Sequence, residues 1–231
     1  MDSVARVEAV ARRIGDAIEL GLLADGDQLP GENDLAARLG VSTVTLRASL
    51  QILRHQGLVT TRRGRGGGSF VHAPAEPLVE RLRPRLAEHS AQEIRDFGDH
   101  YAAVAGAAAR LAAARTDSDG LGRLRELRDA FEASTDTAER VRADRRFHVE
   151  VAAAAQSARL TREEIRFQTE FGALMCLAFD GDDLSAPAAE QHRALVEAIA
   201  AGAGETARDL AERHVQDATE RLIELRLDLV G

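Results

Sequence analysis

The sequence predicts a mainly α-helical protein in two parts: three short helices closed by a β-hairpin, then an all-helical antiparallel bundle. Three observations carry this. Apolar residues make up 45% of the 231 residues, ample for an ordinary domain plus a smaller module, yet aromatics stand at 3% and alanine is abundant. Small side chains of high helix propensity favour closely packed helices over a sheet-based core. Apolar residues recur at helical spacing along most of the chain, and strand-like runs occur only near 58–61 and 69–71.

In chain order, Val7, Val10, Ile14 and Ile18 define an amphipathic helix over about residues 4–20, ended by Gly21 and the Ala24-Asp25-Gly26-Asp27 stretch. A second helix follows Pro30 with Gly31 as N-cap, turns Leu35, Ala36 and Leu39 inward, and closes at Gly40 as a left-handed C′ residue. Ser42 caps a third helix whose inward stripe is Leu46, Leu50 and Leu53 and which Gly57 stops. Next come Leu58-Val59-Thr60-Thr61, a tip Arg62-Arg63-Gly64-Arg65-Gly66-Gly67-Gly68, and Ser69-Phe70-Val71, the order of a hairpin wing. Two short helices around a glycine turn, followed by such a wing, read as a winged helix-turn-helix.

The charge distribution agrees. Net charge is −8, but residues 41–72 contain no acid and five arginines, so the acidic excess lies elsewhere. Phosphate attraction depends on groups near the groove, not on the whole chain. The glycine-rich tip lacks the Lys-Ser/Thr pair and following helix of a nucleotide-binding P-loop. The expected DNA-binding set is therefore Thr43, Thr45, Arg47, Arg62, Arg63, Arg65 and Gly66. Arg47 can reach a guanine edge or a phosphate, and the threonine methyls can pack on thymine. The wing arginines suit backbone phosphate or the minor groove, and glycine at the tip permits close approach.

The run Leu29-Pro30-Gly31-Glu32-Asn33-Asp34-Leu35-Ala36, then Leu39-Gly40-Val41-Ser42, Leu46-Arg47, Leu50, Gly57-Leu58-Val59 and the Gly-Arg-Gly wing ending Ser69-Phe70-Val71 resembles the winged-helix domain of GntR-type regulators. The resemblance implies binding of a double-stranded operator by a two-fold dimer. Gly31 stands where that family usually has serine, and Asn33 and Thr43 where it has arginine. These departures imply a changed operator preference or contacts shifted to the wing.

Residues 1–73 are thus expected to form the DNA-binding domain, 74–78 a linker across Pro74 and Pro77, and 79–231 the helical domain. In the latter, Ile94, Phe97, Tyr101, Val104, Ala108 and Leu111 mark one long helix, and Leu121, Leu124, Leu127 and Phe131 a second. Further helices are expected over about 136–157, 160–179, 186–201 and 203–228, with breaks at Gly120, 181–183 with Pro187 after it, and 202–204. The sum is an antiparallel bundle of about six helices. Cys176, the only cysteine, excludes an intrachain disulfide and a multi-cysteine zinc site, and its apolar run suggests a buried small side chain. With neither a leader-like segment nor 18 consecutive apolar residues, a cytoplasmic protein without membrane spans is expected.

Val141, Asp144, His148, Val151 and Ala155 share one helix face, so Asp144 and His148 are i,i+4 neighbours on an apolar stripe. His192 shares a face with Ala188, Leu195 and Ile199; His214 shares one with Ala207, Ala211, Ala218 and Leu222. An inward carboxylate is costly unless paired or bound to metal. Two readings stand: a buried polar network fixing helix register, or a divalent-metal set of one carboxylate and three imidazoles.

The segment from about 94 to 220 resembles the FCD effector domain of the FadR branch of these regulators. The residues carrying the likeness are Asp144-Arg145-Arg146-Phe147-His148, 192–199 and 211–215. The resemblance implies a metal held by Asp144, His148, His192 and His214, with zinc expected first and manganese or nickel as alternatives. It also implies a small organic-acid effector at that metal, in a pocket that Tyr101 and an arginine can complete. A homodimer held through the region after Pro77 and a repressor role complete the expectation. Two other functions compete with it: a constitutive DNA-binding dimer with a structural bundle, and a helical metalloenzyme. Against the enzyme stand the Asp-x-x-x-His spacing, unlike the Glu-x-x-His of di-iron bundles, and the lack of a separate nucleophile or base.

Overall fold

The computed structural model describes residues 3–19, 23–64, 66–72, 78–135, 137–179 and 182–230. The chain divides into two compact units, residues 1–78 and 79–231. The expected linker residues 74–77, Arg65 and the Cys176 side chain lie outside the described residues.

In the first unit, α1 (Ser3–Glu19), α2 (Glu32–Leu39) and α3 (Thr43–His55) precede β1 (Val59–Arg62) and β2 (Gly68–Val71). Val10, Ile14 and Ile18 of α1 pack with Leu46, Leu50 and Leu53 of α3, and Leu58, Val59 and Val71 close the core beneath them. Ser49 is buried on α3, its hydroxyl 2.8 Å from the Val7 carbonyl, so a polar contact joins α1 to α3 inside the apolar cluster. Gly40 adopts φ 67° and its N–H returns to the end of α2; Ser42 accepts from the Thr45 N–H to start α3. β1 and β2 pair antiparallel, with Val59 opposite Val71 and Arg62 opposite Gly68. At the tip, a Cβ on Gly67 would lie 2.5 Å from the Arg62 carbonyl, so the hairpin closes only around glycine.

One feature of this unit differs from expectation. The stretch after α1 does more than end a helix: Gly26 and Leu29 donate to the Val71 and Ser69 carbonyls, and Asp27 accepts from Val71. Residues 26–29 thereby pair with the free edge of β2, supplying partners to groups that a two-stranded hairpin leaves unmet.

The second unit comprises α4 (Leu78–Ala87), α5 (Ala91–Arg115), α6 (Ser118–Ala133), α7 (Thr137–Ala154), α8 (Ala158–Glu170), α9 (Gly172–Met175), a 3-10 turn (Cys176–Phe179), α10 (Asp182–Ala200) and α11 (Gly204–Val230). Ser90 and Glu93 form a reciprocal capping box at the start of α5. The bundle is built on close approach of α5 and α11. A Cβ on Gly98 would meet Thr219 at 2.4 Å, and one on Gly106 would meet Glu212 at 2.5 Å. Buried Ala102, Ala105, Ala108, Ala109 and Ala112 continue α5, and Ala207, Ala211 and Ala218 face inward from α11. The alanine content is thus spent on bringing two long helices together.

Among the described residues, eight helices stand where about six were expected, for the first two of three reasons; the third moves a boundary. Pro84 inside α4 disguises a helix whose Val79, Leu82 and Leu86 are all buried. The single helix expected over 160–179 breaks after Glu170, where Phe171 turns the chain into α9 and the 3-10 segment. Pro187 lies inside α10 rather than at its boundary, because the helix has already begun at Asp182. Among the described residues, no helix is long and apolar enough to cross a membrane.

Candidate functional site

The DNA-facing candidates lie on α3 and the wing. Thr43 opens α3 and is half-buried. Thr45 is also half-buried, its hydroxyl 2.9 Å from that of Ser42, so part of the side chain serves the cap. Arg47 leaves 64% of its side chain exposed and donates from Nε to Glu32 Oε2 at 2.6 Å. Arg62 lays its guanidinium over the Phe70 ring, 4.4 Å from the centroid, while Arg63 and Gly66 are exposed. Arg65 is outside the described residues. Two neighbours escaped sequence reading: Glu32, which orients Arg47 from α2, and Val44, which is 74% exposed on α3.

In the second unit α7, α10 and α11 bring Asp144, His148, His192 and His214 together, one ligand atom of each lying within 4.8 Å of the others. Asp144 Oδ1 stands 3.5 Å from His148 Nε2 and 3.4 Å from His192 Nε2. Aromatic rings wall the cluster. Phe147 lies 4.2 Å and Phe131 4.8 Å from the His192 ring, and Phe179 stacks on His214 at 5.4 Å between centroids.

Burial and mutual charge set the protonation. Burial pushes His192 down to about 3 against the pull of Asp144, with His148 adding to the shift, and it pushes His214 well below 6.5, with His192 and His148 adding to that shift. Burial also opposes charge on His148, but its attraction to Asp144 outweighs burial and raises it. Burial opposes ionisation of Asp144, yet the three histidines hold it down at about 2. Neutral His192 beside ionised Asp144 is therefore not an ion pair, and its imidazole is in the form that donates to a metal.

The polar accounting bears on the two readings of this cluster. A satisfied buried network would give each polar atom a partner. Among the described residues, Asp144 Oδ1 and both ring nitrogens of His192 are instead buried without a hydrogen-bond partner. His214 is oriented from behind: its Nδ1 lies 2.7 Å from Gln191 Oε1, and Gln191 donates in turn to Asp217 at 2.6 Å. That places the proton on Nδ1 and leaves Nε2 as a donor, the usual outer support of a metal-ligating histidine. The donors fit a divalent ion. Sequence reading missed Gln191 because a polar residue on a half-exposed helix face carries no periodic signal.

Tyr101 is buried beside the cluster, 6.4 Å between its ring and that of His148. Its hydroxyl donates to buried Glu164 at 2.8 Å, and Gln168 donates to both at 2.8–2.9 Å. A cavity of about 10 Å³ adjoins Asp144 on another side, lined by Phe131, Thr137, Arg140, Val141 and Phe179. Arg140 is the cation of that lining.

A helix-turn-helix with a basic wing and a separate helical bundle enclosing an Asp/His set together define a two-domain bacterial transcription regulator. Comparison with known proteins makes this specific. Residues 6–68 match the family of bacterial regulatory proteins named gntR, and residues 96–217 match the FCD domain. The protein described as HTH-type transcriptional regulator RmpR, of Mycobacterium gastri, is 39% identical over 231 residues, covering 99% of this chain and 84% of its own length. An Escherichia coli protein described as an L-lactate dehydrogenase operon regulatory protein is 29% identical over 90% of this chain and 83% of its own length. A crystal structure of a GntR transcriptional regulator from Rhodococcus sp. RHA1 superposes with a TM-score of 0.56 at 25% identity, covering 95% of this chain and 98% of that one. The chain belongs to the GntR family and carries an FCD domain. It is a DNA-binding transcription regulator, not an enzyme.

Proposed function

We propose that this regulator, of the FadR branch, represses transcription by binding a double-stranded operator as a homodimer and is switched by a small carboxylate. In this reading residues 1–73 bind DNA through Thr43, Thr45, Arg47, Arg62, Arg63, Arg65 and Gly66. Residues 74–78 connect them to the effector and dimerisation domain, 79–231. A chromosomal operator makes the protein cytoplasmic.

The observation that carries the effector half is the convergence of Asp144, His148, His192 and His214, with buried donor atoms that no protein group satisfies. One carboxylate and three imidazoles suit zinc first, with manganese or nickel as alternatives. When bound, the ion supplies an open Lewis-acid position for a carboxylate. Arg140, in the cavity beside Asp144, supports an anionic ligand. The E. coli relative's description, which ties that protein to an L-lactate dehydrogenase operon, supports the same acid class. A cavity of about 10 Å³ holds about one water, so an effector must displace side chains of its rim, giving occupancy a route to helix position.

The test is metal content of the purified protein by mass spectrometry beside His148→Ala and His192→Ala. Operator binding is then titrated with a panel of two- to six-carbon hydroxy and keto acids. Stoichiometric metal lost from both variants, and one acid that releases DNA from wild type only, are expected. A metal-free wild type that gains no stability from zinc, manganese or nickel would end the metal reading.

A further inference from the structure

We propose that Val44 is a base-reading contact, seating its methyl groups against the C5-methyl of one thymine beneath each winged helix. The inference rests on α3 being the helix that enters the major groove and goes beyond it by naming a residue and the group it selects.

Val44 leaves 74% of its surface exposed in the first turn of α3, on the side away from the Leu46–Leu50–Leu53 core. A lone exposed valine is unremarkable in itself. Its surroundings are what matter. The other exposed side chains of α3 are Arg47, Gln51, Arg54 and His55, each able to hydrogen-bond to a base edge or phosphate, and the helix has no acidic residue. Val44 is the one large apolar group on that surface. The major-groove edges offer donors and acceptors at every base pair and one apolar group, the thymine methyl. A valine pressed on any other edge strips water from polar atoms and returns no hydrogen bond, which disfavours those bases.

The threonines expected to supply this contact are less available. Thr45 is half-buried with its hydroxyl at the cap, and Thr43 is also half-buried. Arg47, one turn beyond Val44, narrows the register. Glu32 accepts from its Nε at 2.6 Å, which leaves the two terminal amino groups free for an end-on bidentate contact to guanine O6 and N7. Residues three apart rise about 4.5 Å along the helix, comparable to one base-pair step. The selected thymine therefore lies within two base pairs of the guanine read by Arg47.

The experiment selects the preferred site from a randomised duplex with the full-length protein. Each thymine of that site is then replaced in turn by deoxyuridine, which removes the C5-methyl alone. Wild type is expected to lose about fourfold in affinity at one thymine per recognition helix, the worth of one buried methyl. Val44→Ala should lose affinity for the thymine duplex and become indifferent to the replacement, while Val44→Thr, which keeps one methyl, retains part of the sensitivity. Arg47→Ala should stay sensitive. Matching melting temperatures verify that the exposed-site variants are folded. The proposal is overturned if no thymine is sensitive in wild type, or if the same thymine stays equally sensitive in Val44→Ala. Tight binding with no enriched sequence would overturn it while leaving DNA binding intact; no DNA binding at all would overturn both.

Discussion

In the first unit Arg47 exposes 64% of its side chain and shares an ion pair with Glu32, whereas in the second His192 exposes 1% and has no hydrogen-bond partner. Under the proposed function, the contrast reflects two kinds of recognition. A group that reads DNA must stand in water until the duplex arrives, and an exposed ion pair adds little to stability while it waits. A group that holds an ion must already be stripped of water and aimed, so its unmet polar atoms burden the fold until the ion binds. Changes in the first unit should therefore alter DNA affinity and leave melting alone. Changes in the second should alter melting and metal content together.

The sharpest way to break this comparison is to remove the metal ion that the proposed function places in the second unit. At free metal about a thousand times its dissociation constant, binding stabilises the fold by about 4 kcal/mol. For a chain of this size that is about 8–16 °C of melting temperature. Chelation is expected to lower melting by an amount of that order and readdition to restore it, with Asp144→Ala insensitive to both. Equal melting of wild type with and without chelator would erase the distinction between the two units.

The next test concerns the seam that positions His214. Gly98→Ala drives a methyl into Thr219 and is expected to cost about 1–3 kcal/mol and to weaken metal binding through displacement of α11. Gly122→Ala, on α6 with nothing within 4 Å of the added carbon, is the control and should stabilise by about 0.5–1 kcal/mol. Calorimetry and metal titration of the pair measure both effects.

On the exposed side, Arg47→Ala is expected to weaken the specific operator by about 1–3 kcal/mol, and Arg63→Ala to weaken all sequences alike and flatten the salt dependence by about one phosphate. Neither should move melting by more than about 0.5 kcal/mol, since both side chains are exposed. Anisotropy titrations at two salt concentrations, with parallel melts, separate these effects.

The smallest effect is the pH dependence of the metal-free protein. His192 and His214 have folded values below 6.5, so from 6.5 downward the unfolded chain binds more protons and stability falls, for His192 until about pH 3. His148 runs the other way: its raised value contributes stability that is full below 6.5 and is lost as pH rises through its folded value. Two histidines against one leave a net loss on going from pH 7 to 5. Urea melts of the chelated protein check the sign; greater stability at pH 5 would show that His148 dominates.

Much of this was legible in the chain. The Leu46, Leu50 and Leu53 stripe and the turn glycines specify the trihelical unit locally, since each cap and each face is set within a few residues. Asp144, His148, His192 and His214 stood out because polar residues interrupt otherwise apolar helical faces. Other features were hidden for identifiable reasons. Pro187 suggested a boundary and no helix was expected around Pro84, yet both prolines lie inside helices. The pairing of residues 26–29 with β2 depends on a strand 40 to 45 residues later, and no periodicity announces it. Val44 carries no exposure signal of its own in the sequence, because an exposed valine has the same composition signal as a core one and burial separates them.

By itself the sequence carried the motifs that resemble the family, and it determined the helical and hairpin elements and the face on which each candidate ligand lies, because capping and periodicity act over distances of one or two helical turns. The tertiary structure alone decided that three such faces meet within 4.8 Å, that Gln191 fixes the orientation of His214, and that Glu32 turns Arg47. Those relations join residues 15 to 70 positions apart. They depend on how closely helices pack, which at Gly98 and Gly106 is set by the absence of a single carbon.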